Sequence, residues 1–152
     1  RIPALVLDNG EVILETTAIC RYLECLHPDP NLFGIDENEI AQIEMWYSRI
    51  SFELMMPLMF GFRHTHPHMS ELENQNNEFG LAQRELAIKS LKYYDEIIAD
   101  KEYIACGKFS YADIQAVTSL QFLVRLNKID INDYENLSNY VDNIALRPSF
   151  AK

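Results

Sequence analysis

The strongest constraint on the fold is that the sequence predicts only two strands, both within its first fourteen residues. Residues 4–7 and 12–14 are short apolar runs, and the Asn9-Gly10 pair between them is typical of a tight β-hairpin. An isolated two-stranded ribbon is only marginally stable in water. Since the chain also begins at Arg1 rather than at a methionine, we expect the first part of this domain to lie upstream.

The apolar residues after the hairpin follow a helical spacing. Leu23 and Leu26 fall on one face of a helix that begins near Thr16, and the turn-rich residues 27–31 end it. Residues 28–37 predict a linker. The sequence therefore predicts an α+β chain of three parts, namely a hairpin and helix, a linker and an all-helical domain, over residues 1–27, 28–37 and 38–152.

Several patterns organise the helical domain. Apolar steps of three and four from Ile43 predict an amphipathic helix, Pro57 predicts a kink in it, and the apolar residues 58–62 predict a segment buried on all sides. Ser110 and Asp113 have the spacing of a capping box at a helix start. Between these segments, the steps of four, seven and four among Ala82, Leu86, Tyr93 and Ile97 predict another helix, which ends near Asp100.

Composition excludes some classes of function. The 13 basic and 23 acidic residues give a formal net charge of -10, which argues against nucleic acid as a main partner. No apolar run reaches the roughly 18 residues of a membrane span, so no membrane association is expected. The three cysteines form no CxxC motif, and this odd number is typical of a reducing compartment. We therefore expect a cytoplasmic protein.

Several short motifs, taken in order, resemble those of the cytosolic glutathione transferase family. They are Ile2-Pro3 opening a strand, the Asn9-Gly10 hairpin, Glu15-Thr16 at a helix start, Phe109-Ser110-x-x-Asp113-Ile114, and the ending Arg147-Pro148-Ser149. The segments Pro30-Asn31-Leu32-Phe33-Gly34 and Phe62-Arg63-His64-Thr65-His66-Pro67 resemble bacterial members. The resemblance covers the whole chain.

This resemblance implies how the chain is divided and where its chemistry lies. The hairpin and first helix would be the C-terminal half of a thioredoxin-like domain, and the remainder would be the all-helical domain that follows it. In the family, a Ser, Tyr or Cys in the first half of the thioredoxin-like domain activates the glutathione thiol. No residue of this chain can therefore be assigned that catalytic role.

The Ile2-Pro3 pair is the first candidate glutathione-binding element. A cis peptide bond is accessible before proline, and at the start of a strand it turns the preceding N–H and C=O outward, where they can pair with an extended peptide. By the resemblance, these groups of Ile2 hold the cysteinyl part of glutathione. The alternative is an ordinary trans proline on an edge strand.

Glu15 and Thr16 form the second candidate element. A helix N-terminus presents unpaired N–H groups and about half a positive charge to a carboxylate, while Glu15 can pair with an ammonium group. The γ-glutamyl end of glutathione carries both charges. The alternative is a simple helix cap. Arg1 could meet the glycyl carboxylate or belong to a frayed terminus.

The histidines at positions 64, 66 and 68 alternate, but helical spacing and Pro67 keep their rings from converging, so we expect no metal site. The resemblance instead places this helix beside the family's electrophile cleft. Met59, Arg63 and His64 are the candidate electrophile-site residues, with structural hydrogen bonding as the alternative for the last two.

The expected function is a glutathione transferase, which binds glutathione and directs its thiolate at a small hydrophobic electrophile. A non-catalytic binding or scaffold protein on the same fold is the first alternative, and a glutathione-dependent disulfide reductase is the second. The first two predict a symmetric homodimer. Glutathione enters as a substrate, and no other cofactor is expected.

Overall fold

The chain opens with the predicted antiparallel hairpin. The computed structural model describes residues 2–150, and the pair is formed by β1 (Ala4–Val6) and β2 (Val12–Leu14), with Leu5 opposite Ile13. Gly10 has φ 86°, a value that glycine adopts without a steric penalty, and its N–H donates to the Leu7 carbonyl over 2.9 Å. The turn therefore has the chemistry that the Asn-Gly pair predicts.

Helices form nearly all of the remaining regular structure in the described residues, which confirms the α+β class. A π-helical turn (Ser51–Met55) joins the second helix to the third, and short 3₁₀ turns lie at Pro67–Met69 and Pro148–Phe150. The α-helices are α1 (Thr16–Leu26), α2 (Glu37–Ile50), α3 (Met56–Thr65), α4 (Asn77–Ile98), α5 (Tyr111–Asn127) and α6 (Glu135–Ala145).

The disturbance predicted at Pro57 takes the form of the π-helical turn just before it. Pro57 itself lies in the first turn of α3, where a missing N–H is tolerated. Because proline has no N–H to donate, the Glu53 carbonyl one turn earlier lacks its usual partner. The Ser90 hydroxyl on α4 donates to that carbonyl over 3.3 Å and so joins the two helices at this point.

The apolar core lies between α2, α3, α4, α5 and α6. The prediction that residues 58–62 are buried on all sides is wrong, since Leu58 and Gly61 are buried but Met59 is only half-buried. One face of α3 is therefore partly open. The largest fully buried apolar side chains of the core are Ile43, Ile50, Leu54, Leu58, Leu91, Val117, Leu120, Leu123 and Ile144.

The residues whose spacing predicts α4 do not all face the core. Tyr93 and Ile97 are half-buried against it, whereas Leu86 is 52% exposed. The buried residues of α4 are Gly80, Ala87, Leu91, Tyr94 and Ile98. α3 approaches α4 closely at Gly80, where an added Cβ would lie 2.7 Å from Thr65 Cγ2.

Asp113 joins three parts of the helical domain. Its buried carboxylate accepts hydrogen bonds from the Ser110 N–H and Oγ, both over 2.8 Å, which forms the predicted capping box of α5. It also accepts from the Ile104 N–H over 2.8 Å and from the Tyr140 hydroxyl over 2.7 Å. Burial raises the pKa of the Asp113 carboxyl, although these four donors oppose the rise. One side chain thus fixes α5, α6 and the loop before α5.

Within residues 2–150, the structure contains no helix whose length and apolar character would allow it to cross a membrane.

Candidate functional site

The N-terminus of α1 is the most unusual helix start in the structure. Glu15 occupies the cap position with φ 69° and ψ 124°, and within the described residues no side chain makes a cap hydrogen bond there. A non-glycine residue in this region costs about 1–3 kcal/mol. The first-turn N–H groups have no intrahelical partners, so a ligand carboxylate can occupy the place of a capping side chain.

The hairpin register brings the two predicted glutathione-binding elements to the same end of the ribbon. Ala4 pairs with Leu14, so Pro3 and Glu15 are the next residues on the two strands. The Ile2-Pro3 peptide bond is cis, as the sequence predicts, and Ile2 is 96% exposed. Glu15 and Thr16 are exposed at the same edge. Arg1 lies outside the described residues.

Thr17, one residue further into α1, joins this helix to the helical domain. Its hydroxyl lies 2.6 Å from the Tyr47 hydroxyl and 3.3 Å from the Tyr111 hydroxyl, which connects α1 to α2 and α5. Burial raises the pKa of Tyr111 to about 12, so its phenol stays protonated at neutral pH. Because Thr17 faces these phenols, it does not compete with a ligand at the helix start. The sequence contains no local signal for this contact.

The linker is held against α1 by a single carboxylate that the sequence reasoning missed. Glu24 accepts hydrogen bonds from the Asn31 amide over 2.8 Å, the Leu32 N–H over 2.7 Å and the Phe33 N–H over 3.1 Å. The Tyr111 N–H then donates to the Leu32 carbonyl over 2.9 Å. These bonds fix the start of α5 relative to α1.

The three candidate electrophile-site residues lie on α3, but two of them have structural partners. Arg63 forms an ion pair with Glu73. His64 Nδ1 accepts a hydrogen bond from the Asn76 N–H over 3.1 Å, at the start of α4. Met59 is half-buried, and its thioether is at most a weak hydrogen-bond acceptor. The structure therefore supplies the structural alternative for Arg63 and His64, and their contact with a substrate stays a prediction.

The other two histidines of the alternating triplet, His66 and His68, lie beside each other. The His66 ring lies on Phe62, with 4.6 Å between ring centroids, and the His66 and His68 ring centroids are 5.1 Å apart. Among residues 2–150, no group of three or more His, Cys, Asp or Glu side chains is placed to hold a metal ion.

Comparisons with known proteins agree with this geometry. The model of the glutathione S-transferase C-terminal domain matches residues 45–148, and that of the N-terminal domain matches residues 1–31. Glutathione S-transferase 2 of Saccharomyces cerevisiae is 34% identical over 153 residues, which cover 99% of this chain and 66% of that protein. The chain thus spans about two thirds of the length of this relative.

Two solved structures show the same fold. A class Gtt2 glutathione S-transferase of Vibrio parahaemolyticus superposes with a TM-score of 0.90 at 30% identity, covering 100% of this chain and 72% of that chain. A sphingomonad glutathione S-transferase complexed with glutathione superposes with a TM-score of 0.80 at 25% identity, covering 99% of this chain and 70% of that chain.

These likenesses confirm the predicted fold, in which the second part of a thioredoxin-like domain is followed by a helical domain. Taken together, the matched domains, the shared fold and the uncapped helix start beside a cis-proline lead to one conclusion, that this chain belongs to the glutathione S-transferase family.

Proposed function

We propose that this chain forms the glutathione-binding half of a glutathione transferase site. The observation that carries the proposal is the uncapped start of α1, where Glu15 has φ 69°. The γ-glutamyl carboxylate of glutathione would accept from the free first-turn N–H groups, and the Glu15 carboxylate would pair with its ammonium group. The exposed Thr16, the first residue of α1, would add a hydroxyl beside the ligand carboxylate. A complex of a related transferase with glutathione supports this choice of ligand.

The cysteinyl part of the ligand would lie along the start of β1. The backbone N–H and C=O of Ile2 lie beyond the paired residues of the hairpin, so an extended peptide can add to this edge. Arg1 would meet the glycyl carboxylate. The group that activates the thiol would come from a segment outside this chain, as the family resemblance implies. The thiolate, which is the nucleophile, would then attack the electrophile.

The helical domain would supply the wall that receives the electrophile. The partly open face of α3 carries Met59, and a flexible thioether adapts to apolar ligands of different shapes. Arg63 and His64 would border this wall from the last turn of α3. A small hydrophobic electrophile is therefore the proposed second substrate.

We further propose a cytoplasmic homodimer with the domain division 1–27, 28–37 and 38–152. The exposed apolar side chains Met45 and Phe52, on α2 and its π-helical turn, and Phe79 and Leu86, on α4, support a protein interface. Cys20, Cys25 and Cys106 are free thiols, which supports a reducing compartment.

Glutathione binding by Glu15→Gln tests the site directly. Calorimetric titration of the purified protein should show an affinity reduced by roughly fivefold or more, because one charge-assisted hydrogen bond is lost. Glu11→Gln is the matched control, since Glu11 is an exposed carboxylate of the same hairpin. The dipeptide Cys-Gly lacks the γ-glutamyl group, so its affinity should be the same for both variants. If Glu15→Gln binds glutathione as tightly as the parent protein does, the assignment of Glu15 to the glutathione site is wrong.

Turnover distinguishes the transferase from its alternatives. Conjugation of glutathione to chlorodinitrobenzene by the protein supports a transferase, whereas reduction of a small mixed disulfide supports a disulfide reductase. Glutathione binding without either reaction would favour a binding or scaffold protein.

A further inference from the structure

A cavity of about 510 Å³ lies where the C-terminal ends of α3 and α5 meet α4. Its charge is opposite to that of the whole protein, whose formal net charge is -10. Arg84 and Lys128 contribute two cations, His66 and His68 also line it, and no Asp or Glu among residues 2–150 does so. The lining residues are Phe62, Thr65, His66, Pro67, His68, Arg84, Leu126, Asn127 and Lys128.

The two cations of this cavity have no carboxylate partner within residues 2–150. Arg84 donates to the Asn127 carbonyl at the end of α5, which uses one of its five N–H groups. The side-chain nitrogen of Asn127 is buried and also has no acceptor in the described part of the chain. The described lining therefore combines two cations and a buried amide nitrogen with no carboxylate, which suits an anionic group.

Lys128 has a backbone conformation that lysine rarely adopts. It follows α5 with φ 53° and ψ 38°, a left-handed conformation in which glycine or asparagine is usual. Its side chain is exposed and adds a positive charge at the cavity. A lysine at a helix C-terminus interacts favourably with the helix dipole. That interaction does not explain why the Lys128 side chain shares a cavity with Arg84.

Three apolar side chains also line the cavity, beside the polar Thr65. Phe62, Pro67 and Leu126 line the cavity together with the charged groups, so a ligand with both an anionic and an aromatic part would find partners for each. Guanidinium binds a phosphate through two parallel N–H groups, and an ammonium group acts as a point charge.

We propose that this cavity binds a small aromatic phosphomonoester. It shares no lining residue with the proposed glutathione site at Ile2, Glu15 and Thr16, and Arg63 and His64 do not line it either. The cavity is therefore distinct from the proposed glutathione contacts, and the proposal does not rest on them.

Calorimetric titration with phenyl phosphate tests the proposal on the purified protein. Binding should be saturable and unaffected by saturating glutathione. Lys128→Asn should weaken it by roughly threefold to tenfold, since it removes a partly exposed charge, and asparagine tolerates the backbone position. Arg84→Gln should weaken it by more than about tenfold, because the bidentate contact is lost. Lys89→Gln removes an exposed cation of α4 outside the cavity and should bind like the parent protein.

Several results would overturn the proposal. These are the absence of saturable binding to millimolar phenyl phosphate, equal affinities of the parent, Lys128→Asn and Arg84→Gln, and equal binding of uncharged phenol. Equal affinities for inorganic phosphate and phenyl phosphate would overturn the role of the apolar wall. Because Arg84 also contacts the end of α5, its variant is first checked by circular dichroism. If Arg84→Gln does not fold, the comparison of Lys128→Asn with Lys89→Gln decides the outcome.

Discussion

Replacement of Asp113 by asparagine should destabilise the protein in a way that depends on which hydrogen bonds survive. One carboxylate oxygen accepts from the Ser110 N–H and Oγ, and the other accepts from the Ile104 N–H and the Tyr140 hydroxyl. Asparagine retains one acceptor oxygen, and its NH₂ group replaces the other. In either orientation of the amide, one backbone N–H faces a donor.

The magnitude follows from counting these donors. A hydroxyl can turn to accept from the new NH₂ group, but the orphaned backbone N–H cannot, and it costs about 1–3 kcal/mol. Asp113→Ala orphans both backbone N–H groups, so about 2–6 kcal/mol is expected. A typical domain has about 5–15 kcal/mol in total, and each kilocalorie shifts the Tm of a chain of this size by about 2–4 °C.

Urea denaturation followed by circular dichroism measures the free energy of unfolding of each variant. Asp133→Asn, which removes an exposed carboxylate beside α6, is the control and should change little. The order of stability should be the parent protein, Asp113→Asn and then Asp113→Ala. If Asp113→Ala is as stable as the control, the orphaned buried N–H groups do not carry the expected free-energy cost.

The pH dependence gives a second test of the same carboxyl. Because its folded-state pKa is raised, the unfolded chain loses this proton at lower pH than the folded chain does. The parent protein should therefore lose stability relative to Asp113→Asn as pH rises from the ordinary aspartate pKa to the raised one. If the stability of the parent protein relative to Asp113→Asn instead increases over that interval, the folded-state pKa of Asp113 is lowered rather than raised.

Two substitutions elsewhere have simpler expectations. Cys106 has φ 54° without being glycine, so Cys106→Gly should raise the free energy of unfolding by up to about 1 kcal/mol, and a lower midpoint in urea would contradict this. Thr17→Val removes the hydroxyl near Tyr47 and Tyr111 and should cost about 1 kcal/mol. The same change at the exposed Thr16 should leave thermal stability nearly unaltered, and equal losses at both positions would argue against the contact.

Local signals in the sequence predicted the elements whose chemistry is local. The Asn9-Gly10 turn and the Ser110–Asp113 box each need only neighbouring residues, and both are present in the structure. The face of α4 could not be predicted in the same way. The face of α4 that becomes buried depends on how α4 packs against α3, including the close contact at Gly80. This packing is a property of both helices and not of the local sequence of one.

The candidate site also combines features that the local sequence predicts with features that depend on distant residues. The positions of Ile2 and Glu15 at one end of the hairpin follow from strand pairing, which the sequence predicts. The left-handed backbone of Glu15 and the turn of Thr17 toward two tyrosines depend on distant parts of the chain. Likewise, no spacing rule relates Arg84 to Lys128, because the cavity between them is created by the packing of three helices.

The carboxylate that holds the linker also has a consequence for motion. Glu24 binds three groups of the segment between α1 and the helical domain, and the Tyr111 N–H binds the same segment from the other side. Four hydrogen bonds therefore restrain the segment that a hinge motion between these parts would have to bend. We expect the proposed glutathione contacts and the proposed electrophile wall to keep a nearly constant separation, so that ligands are selected by fit to a preformed cleft rather than by domain closure.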